Sequence, residues 1–252
     1  MKKIALCNQK GGVGKTATAV NLAVGLSLAE KNVLLVDIDP QANATSGLGI
    51  DYRSLDLSIY DCLYKSELVQ KTIIKTKWPR LSVLPSTPDL AGAEIEFVDQ
   101  ESREERLKKL LNTINDTYDF GIIDCPPSLG ILTVNALVAS DSVIIPIQCE
   151  YYALEGLEKL LKTLKAIKNN LNRNLVIEGI LLTMFDARLN LAKDVVEDIR
   201  AHFPNIVFET VIPRSVRIAE SPSYGKSVIH YRISSPGAQA YLNLTRELLN
   251  HA

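Results

Sequence analysis

A short apolar strand, a glycine-rich loop and a helix follow one another at the start of the chain. This succession constrains the fold more than any other feature. "KIALCN" reads as a buried strand, and "GKTATAVNLAVGLSLAEK" (14–31) as a helix with Val20, Val24 and Leu28 on its apolar face and Ala19 and Ala23 beside them. Between them "NQKGGVGKT" approaches the phosphate-loop pattern G-x-x-x-x-G-K-[ST]. Gln9 stands where that pattern has its first glycine, and an additional lysine, Lys10, stands beside it. Glycines let the backbone curl so that successive N–H groups converge on an anion, and the helix N-terminus adds partial positive charge. In such a loop Lys15 reaches the β and γ phosphates, and the Thr16 hydroxyl ligates Mg²⁺. The bland alternative is a glycine-rich turn with a solvated lysine. The agreement of strand, loop, Lys-Thr pair and helix outweighs it.

Further strands alternate with helices. "NVLLVDIDP", "YDFGIIDCPP", "SDSVIIPIQC" and "LVIEGILLTMF" read as strands, and residues 102–116, 154–171 and 189–203 as helices. This alternation predicts an α/β fold of three layers, a mostly parallel twisted sheet flanked by helices. No repeat or linker divides the chain, so residues 1–252 are expected to form one domain, with the less regular 50–100 region as elaboration. The net charge of −1 argues against a globally basic nucleic-acid binder but leaves room for a local patch. Cys7, Cys62, Cys125 and Cys149 form no C-x-x-C pair and read as small buried residues in a reducing compartment. The opening "MKKIALCNQKGG" is no signal peptide, no run of 18 apolar residues exists, and a cytoplasmic location is expected.

Two acidic strand ends complete the pattern. Asp37 and Asp39 in "VDIDPQ" are two apart, so on a strand both carboxylates face one way. They close a strand at the end where ligands bind in open α/β sheets, where a carboxylate can hold a Mg²⁺-bound water or position an attacking one. Asp124 in "GIIDCPP" closes another strand and could contact Mg²⁺. Pro126 and Pro127 stiffen the segment behind it, a position suited to sensing a γ-phosphate. Each element alone could be a polar strand end followed by a turn.

"KGGVGKT" resembles the deviant Walker A signature of the ParA/MinD superfamily of ATPases. "VDIDPQANATSGLG", "IIDCPPSLGILTVNAL", "SDSVIIPIQCEYYALEGL", "EGILLTMFDAR" and "VIPRSVRIAESPSYGK" resemble its ParA/Soj partitioning branch, and these stretches cover nearly the whole chain. The resemblance implies a P-loop NTPase fold and an ATP hydrolase that uses ATP and Mg²⁺. It implies a sandwich homodimer closed by ATP, nonspecific binding to double-stranded DNA, and a ParB-type centromere-binding partner that stimulates hydrolysis. It also implies nucleoid association in the ATP-bound state. By resemblance, Lys10 reaches across the dimer to the partner's nucleotide. Gly11 faces the opposing subunit, and Gly12, Val13, Gly14, Lys15, Thr16 and Ala17 surround the phosphates. Asp39 positions the hydrolytic water, and Thr16 and Asp124 serve the metal. Pro213 and Arg214 lie near the adenine, and Arg188 and Arg217 bind DNA.

One letter departs from the family's usual G-K-T-T, because Ala17 follows Thr16. The missing hydroxyl is expected to weaken nucleotide binding by one hydrogen bond, roughly 1 kcal/mol. Residues 211–232 carry Arg214, Arg217, Lys226 and Arg232 against Glu220, four cations to one acid. On residues alone these cations could be simply solvated; the resemblance favours DNA phosphates. The chain starts directly at its first strand, so no N-terminal helix-turn-helix domain is expected. A MinD-like membrane-associated ATPase is the alternative, but it would need a basic amphipathic tail. "AQAYLNLTRELLNHA" instead pairs one arginine with one glutamate, and Leu242, Leu248 and Leu249 are expected to pack on the domain. The cysteines do not match iron–sulfur relatives, the tyrosines are scattered rather than clustered as in a tyrosine kinase, and "TMFD" lacks the N-K-x-D of a GTPase. No cis arginine finger can be named, so slow unstimulated turnover is expected.

Overall fold

The computed structural model describes residues 1–151 and 153–251. Its centre is an eight-stranded sheet in the order β3-β4-β2-β5-β1-β6-β7-β8. The strands are β1 (Lys2–Leu6), β2 (Val33–Asp37), β3 (Ile74–Lys75), β4 (Leu81–Leu84), β5 (Phe120–Asp124), β6 (Ser142–Gln148), β7 (Val176–Phe185) and β8 (Val207–Pro213). Neighbours pair in parallel except at the β3–β4 edge, which is antiparallel. Central strands covered on both faces read as nearly continuous apolar runs, and β2 and β5 are buried at every position.

Alternation along each strand divides the core in two. Ile4, Leu6, Val33, Leu35 and Ile122 pack on one face, beneath the helices Lys15–Leu28 and Pro236–His251. Ala5, Leu34, Val36 and Ile123 pack on the other, beneath the helices Ile131–Ala139, Ala153–Asn170 and Asn190–His202. Leu248 is fully buried, and Leu242 and Leu249 pack beside it, as expected of the tail.

The connections place the site. The chain leaves β1 for β2 on one side and leaves β5 for β6 on the other, although β1 and β5 are adjacent. The loops after these two strands diverge and open a crevice at the sheet's C-terminal edge, where ligands of open α/β folds bind. Register sets Asp124 opposite both Leu6 and Asp37, so three strand ends meet in a row.

The expected architecture holds, with corrections. Five strands were predicted and eight are present; β3 and β4 lie in the 50–100 region, and β8 is the far edge strand. The first helix stops at Leu28, where Glu30 takes a left-handed conformation (φ 62°), and Leu28 is 52% exposed rather than on the buried face. The stretch 102–116 is a short 3₁₀ turn, Arg103–Glu105, leading into the helix Arg106–Asn112.

Candidate functional site

The phosphate-type loop is a braced structure. Asn8 donates to the Pro146 carbonyl (2.8 Å) and accepts from the Lys10 N–H (3.0 Å), which ties the loop's start to β6. Gly12 and Gly14 have φ of 77° and 89°, in the left-handed region where only glycine sits without strain. Gly14 is also the N-cap of the first helix, so its backbone turns directly into the helix end. Between the two glycines Val13 is buried, and its carbonyl accepts the Thr183 hydroxyl from β7 (2.9 Å). Lys15 is buried and its Nζ donates to the Lys10 carbonyl (3.2 Å), curling back over the loop.

Lys10 does not share this arrangement. Its side chain is half exposed and forms an ion pair with Glu150, in the segment after β6. Gly11 has no left-handed φ, and a Cβ there would meet only Pro127 at 3.9 Å. Nothing within the subunit requires glycine at that position.

The acidic residues separate into different jobs. Asp37 ends β2 fully buried and accepts from the Thr45 N–H (2.8 Å), the Thr45 hydroxyl (2.7 Å) and the Asp39 N–H (3.2 Å). Burial nevertheless pushes its pKa up to about 6. Asp39 lies beyond the strand rather than on it, and its Oδ1 accepts the Gln41 N–H (2.9 Å). The reading of both carboxylates on one strand is therefore corrected: β2 stops at Asp37, so strand alternation does not set the direction of Asp39, although its charge still acts on Asp37 and Asp124.

Asp124 is the most unusual of the three. It is fully buried, and neither carboxylate oxygen makes a hydrogen bond of good geometry among the described residues, although the Thr16 hydroxyl lies near enough to favour its charged form. Burial drives its pKa well above the ordinary carboxylate range and the Asp37 charge adds to this, while Thr16 and Lys15 oppose it. Burial likewise lowers the Lys15 pKa, with the Asp124 charge the main opposing influence. A buried carboxylate without a well-formed hydrogen bond, next to a hydroxyl and an ammonium, is costly unless a ligand completes it. These oxygen donors suit a hard divalent cation such as Mg²⁺.

A cavity of about 560 Å³ continues from the loop. Ala17 and Val20 of the first helix form one wall, with Met184, Pro213 and Arg214 from the ends of β7 and β8 opposite. Met184 is held at φ 53°, an uncommon conformation for methionine and one found disproportionately at functional sites. Pro213 and Arg214 thus line the same cavity as Ala17.

Arg188 and Arg217 follow the adjacent strands β7 and β8, outside this cavity's lining. Arg188 is bidentate on Asp186 (2.9 and 2.6 Å), with its side chain 87% exposed. Arg217 pairs with Glu220, the one acid of 211–232. Both guanidiniums are therefore engaged by acids of their own segments. All four cysteines are buried free thiols, and burial raises Cys7 to about 12. Sequence reasoning missed Thr45, Glu150 and Thr183. A lone threonine or glutamate has no local pattern, and only the tertiary fold shows what it touches.

The comparisons agree with this geometry. The family model described as "AAA domain" matches residues 1–177. The chain is 55% identical over 247 residues to the sporulation initiation inhibitor protein Soj of Bacillus subtilis, covering 98% of each. It is 54% identical over 246 residues to the chromosome partitioning protein ParA of Myxococcus xanthus, covering 98% of this chain and 87% of that protein. The solved structure of cobyrinic acid a,c-diamide synthase from Mycobacterium smegmatis with bound ADP and magnesium superposes with a TM-score of 0.87 at 35% identity. That match covers 99% of this chain and 94% of the other. The braced loop, the buried acid at its base and this full-length similarity place the chain in the ParA/Soj family of chromosome-partitioning ATPases, within the ParA/MinD superfamily.

Proposed function

We propose that this ATPase binds Mg·ATP at the loop, closes into a sandwich homodimer, binds DNA without sequence preference in that state, and is reset by hydrolysis that a ParB-type partner stimulates. The observation that carries the reading is the pair Lys15 and Asp124: a buried ammonium over a glycine loop and a buried carboxylate without a well-formed hydrogen bond among the described residues. Each is expensive alone, and Mg·ATP satisfies both.

The protein's groups then divide the work. The loop amides from Gly12 to Ala17 bind phosphate oxygens, and Lys15 Nζ, already curled over the loop, binds the β and γ phosphates. Thr16 and Asp124 hold Mg²⁺, which when bound neutralises charge developing on the phosphates. Asp39 orients the attacking water through its free oxygen, its other oxygen being fixed by the Gln41 amide. Pro213 and Arg214 line the base pocket.

Lys10 supports the dimer. Its side chain points away from its own loop toward Glu150, free to extend into a neighbouring subunit on losing an exposed ion pair worth at most about 1 kcal/mol. Gly11 supports it too, since the space it leaves is not needed within one subunit. Arg188 and Arg217 contact DNA phosphates by exchanging Asp186 and Glu220 for the polyanion. Unstimulated turnover is slow because the site lacks a charge that the partner orders or supplies. For the membrane-associated alternative the C-terminal helix would have to be available, but its Tyr241, Leu244 and Leu248 are buried in the core. Among the described residues no helix is long and apolar enough to cross a membrane. The test is the ATPase rate alone, with DNA, and with DNA and a candidate partner. The reading requires stimulation, and a rate indifferent to both overturns it.

A further inference from the structure

The two left-handed glycines solve one problem and create another. They let the loop curl, but the Val13–Gly14 peptide is oriented by the Val13 ψ and the Gly14 φ, and glycine at 14 leaves one of those two torsions free to rotate. Flipping that peptide would turn the Gly14 N–H away from the loop's interior.

The structure holds it from outside. Thr183, at the C-terminal end of β7 and 2% exposed, donates its hydroxyl to the Val13 carbonyl at 2.9 Å. In a trans peptide the C=O and N–H of one plane point in opposite directions. Fixing the Val13 carbonyl outward therefore fixes the Gly14 N–H inward. The Thr183 side chain is itself well seated. Its backbone carbonyl accepts the Cys149 N–H (3.2 Å), and β6 and β7 are in register at Gln148 and Thr183. Its methyl lies 3.8 Å from where a Gly14 Cβ would be. The Val13 side chain is itself buried. The next residue along β7 is Met184, whose left-handed backbone lines the cavity, so one strand end serves both the loop and the cavity wall.

We propose that Thr183 is a positioning residue for the phosphate loop, holding the Val13–Gly14 peptide so that the Gly14 amide is aimed at bound phosphate. This rests on the reading of the loop as a nucleotide site. Thr183 also lines the cavity beside Met184, but the role assigned to it here is toward the loop. Its effect passes through one buried hydrogen bond, and valine at 183 keeps the shape while removing the donor.

The experiment is titration of the full chain with Mg·ADP for the unaltered protein, Thr183→Val and Thr183→Ser. Thr183→Val should bind about five- to tenfold more weakly, the loss of one buried hydrogen bond. Thr183→Ser, which keeps the hydroxyl, should stay within twofold. The Gly14 amide ¹H–¹⁵N resonance should shift strongly on adding Mg·ADP in the unaltered and serine chains and weakly in the valine chain, a signature that general destabilisation does not produce. Thr183→Val binding within twofold of the unaltered chain overturns the proposal. If Thr183→Val does not fold, Thr183→Ala carries the same comparison with the same two outcomes. Failure of the unaltered chain to bind Mg·ADP overturns the nucleotide reading itself, a result distinct from failure of the proposal.

Discussion

At the residue scale, the proposed metal-holding role of Asp124 goes with a cost in stability. Unfolded, it ionises near 4 like any aspartate. Folded, burial keeps its proton to higher pH. Between those two pH values the native state binds more protons than the unfolded one, so its stability falls as pH rises. Asp124→Asn removes this cost. Without nucleotide, the variant should match the unaltered chain near pH 4 and exceed it by about 1–3 kcal/mol at pH 7 in denaturant titrations, while losing Mg-dependent hydrolysis. Ala17 offers the opposite trade. Its side chain faces the cavity, and Ala17→Thr should tighten Mg·ADP binding by about 1 kcal/mol, roughly fivefold, by calorimetry. At this scale the sequence was informative where chemistry is local. Lys15, Thr16 and Gly14 were legible because loop, lysine and helix start are contiguous. The separate fates of Asp37 and Asp39 were not, because they depend on Thr45 and on a turn that the period-two rule does not foresee.

At the element scale, the first helix, which begins at the loop, packs closely on the C-terminal helix. Gly25 makes that approach possible: a Cβ there would fall 2.1 Å from the Thr245 hydroxyl oxygen and 3.1 Å from its Cβ. Gly25→Ala should cost about 1–3 kcal/mol through overpacking, despite alanine's better helix propensity. Thr245→Ala in the same chain should recover most of it, and a double-mutant cycle by thermal unfolding checks the coupling. The long central strands were readable from continuous apolar runs. β3 and β4 were not, being two and four residues long, and β8, at the sheet's edge, buries only Phe208 and Ile212 and so has neither an apolar run nor a clear alternation. The helix Ile131–Ala139 was missed because it is buried nearly all round and so lacks a polar face to mark its period.

At the scale of the whole molecule, the proposed DNA binding by a near-neutral chain rests on geometry rather than net charge. Arg188 and Arg217, each paired with an acid in the single subunit, give little attraction alone; two copies side by side double the array. Binding to random duplex should therefore require ATP and weaken steeply with salt in fluorescence anisotropy, with a log–log slope that flattens by about 1–2 when either arginine is replaced by alanine. Resemblance carried this part of the account furthest beyond what residues alone suggest, since solvated surface arginines leave no pattern of their own. The fold supplies the complementary fact that both arginines follow neighbouring strands, β7 and β8, whose ends also line the cavity beside the loop.

The dimer is the hinge of the whole scheme, and Lys10 is its most exposed assumption. Sedimentation velocity on the Asp39→Ala chain, which should retain ATP unhydrolysed, tests it directly. With Mg·ATP the mass should double, with Mg·ADP it should remain that of one chain, and adding Lys10→Ala should return the ATP form to one chain while it stays folded. A single-chain mass with ATP, or an undiminished dimer without Lys10, would contradict the account.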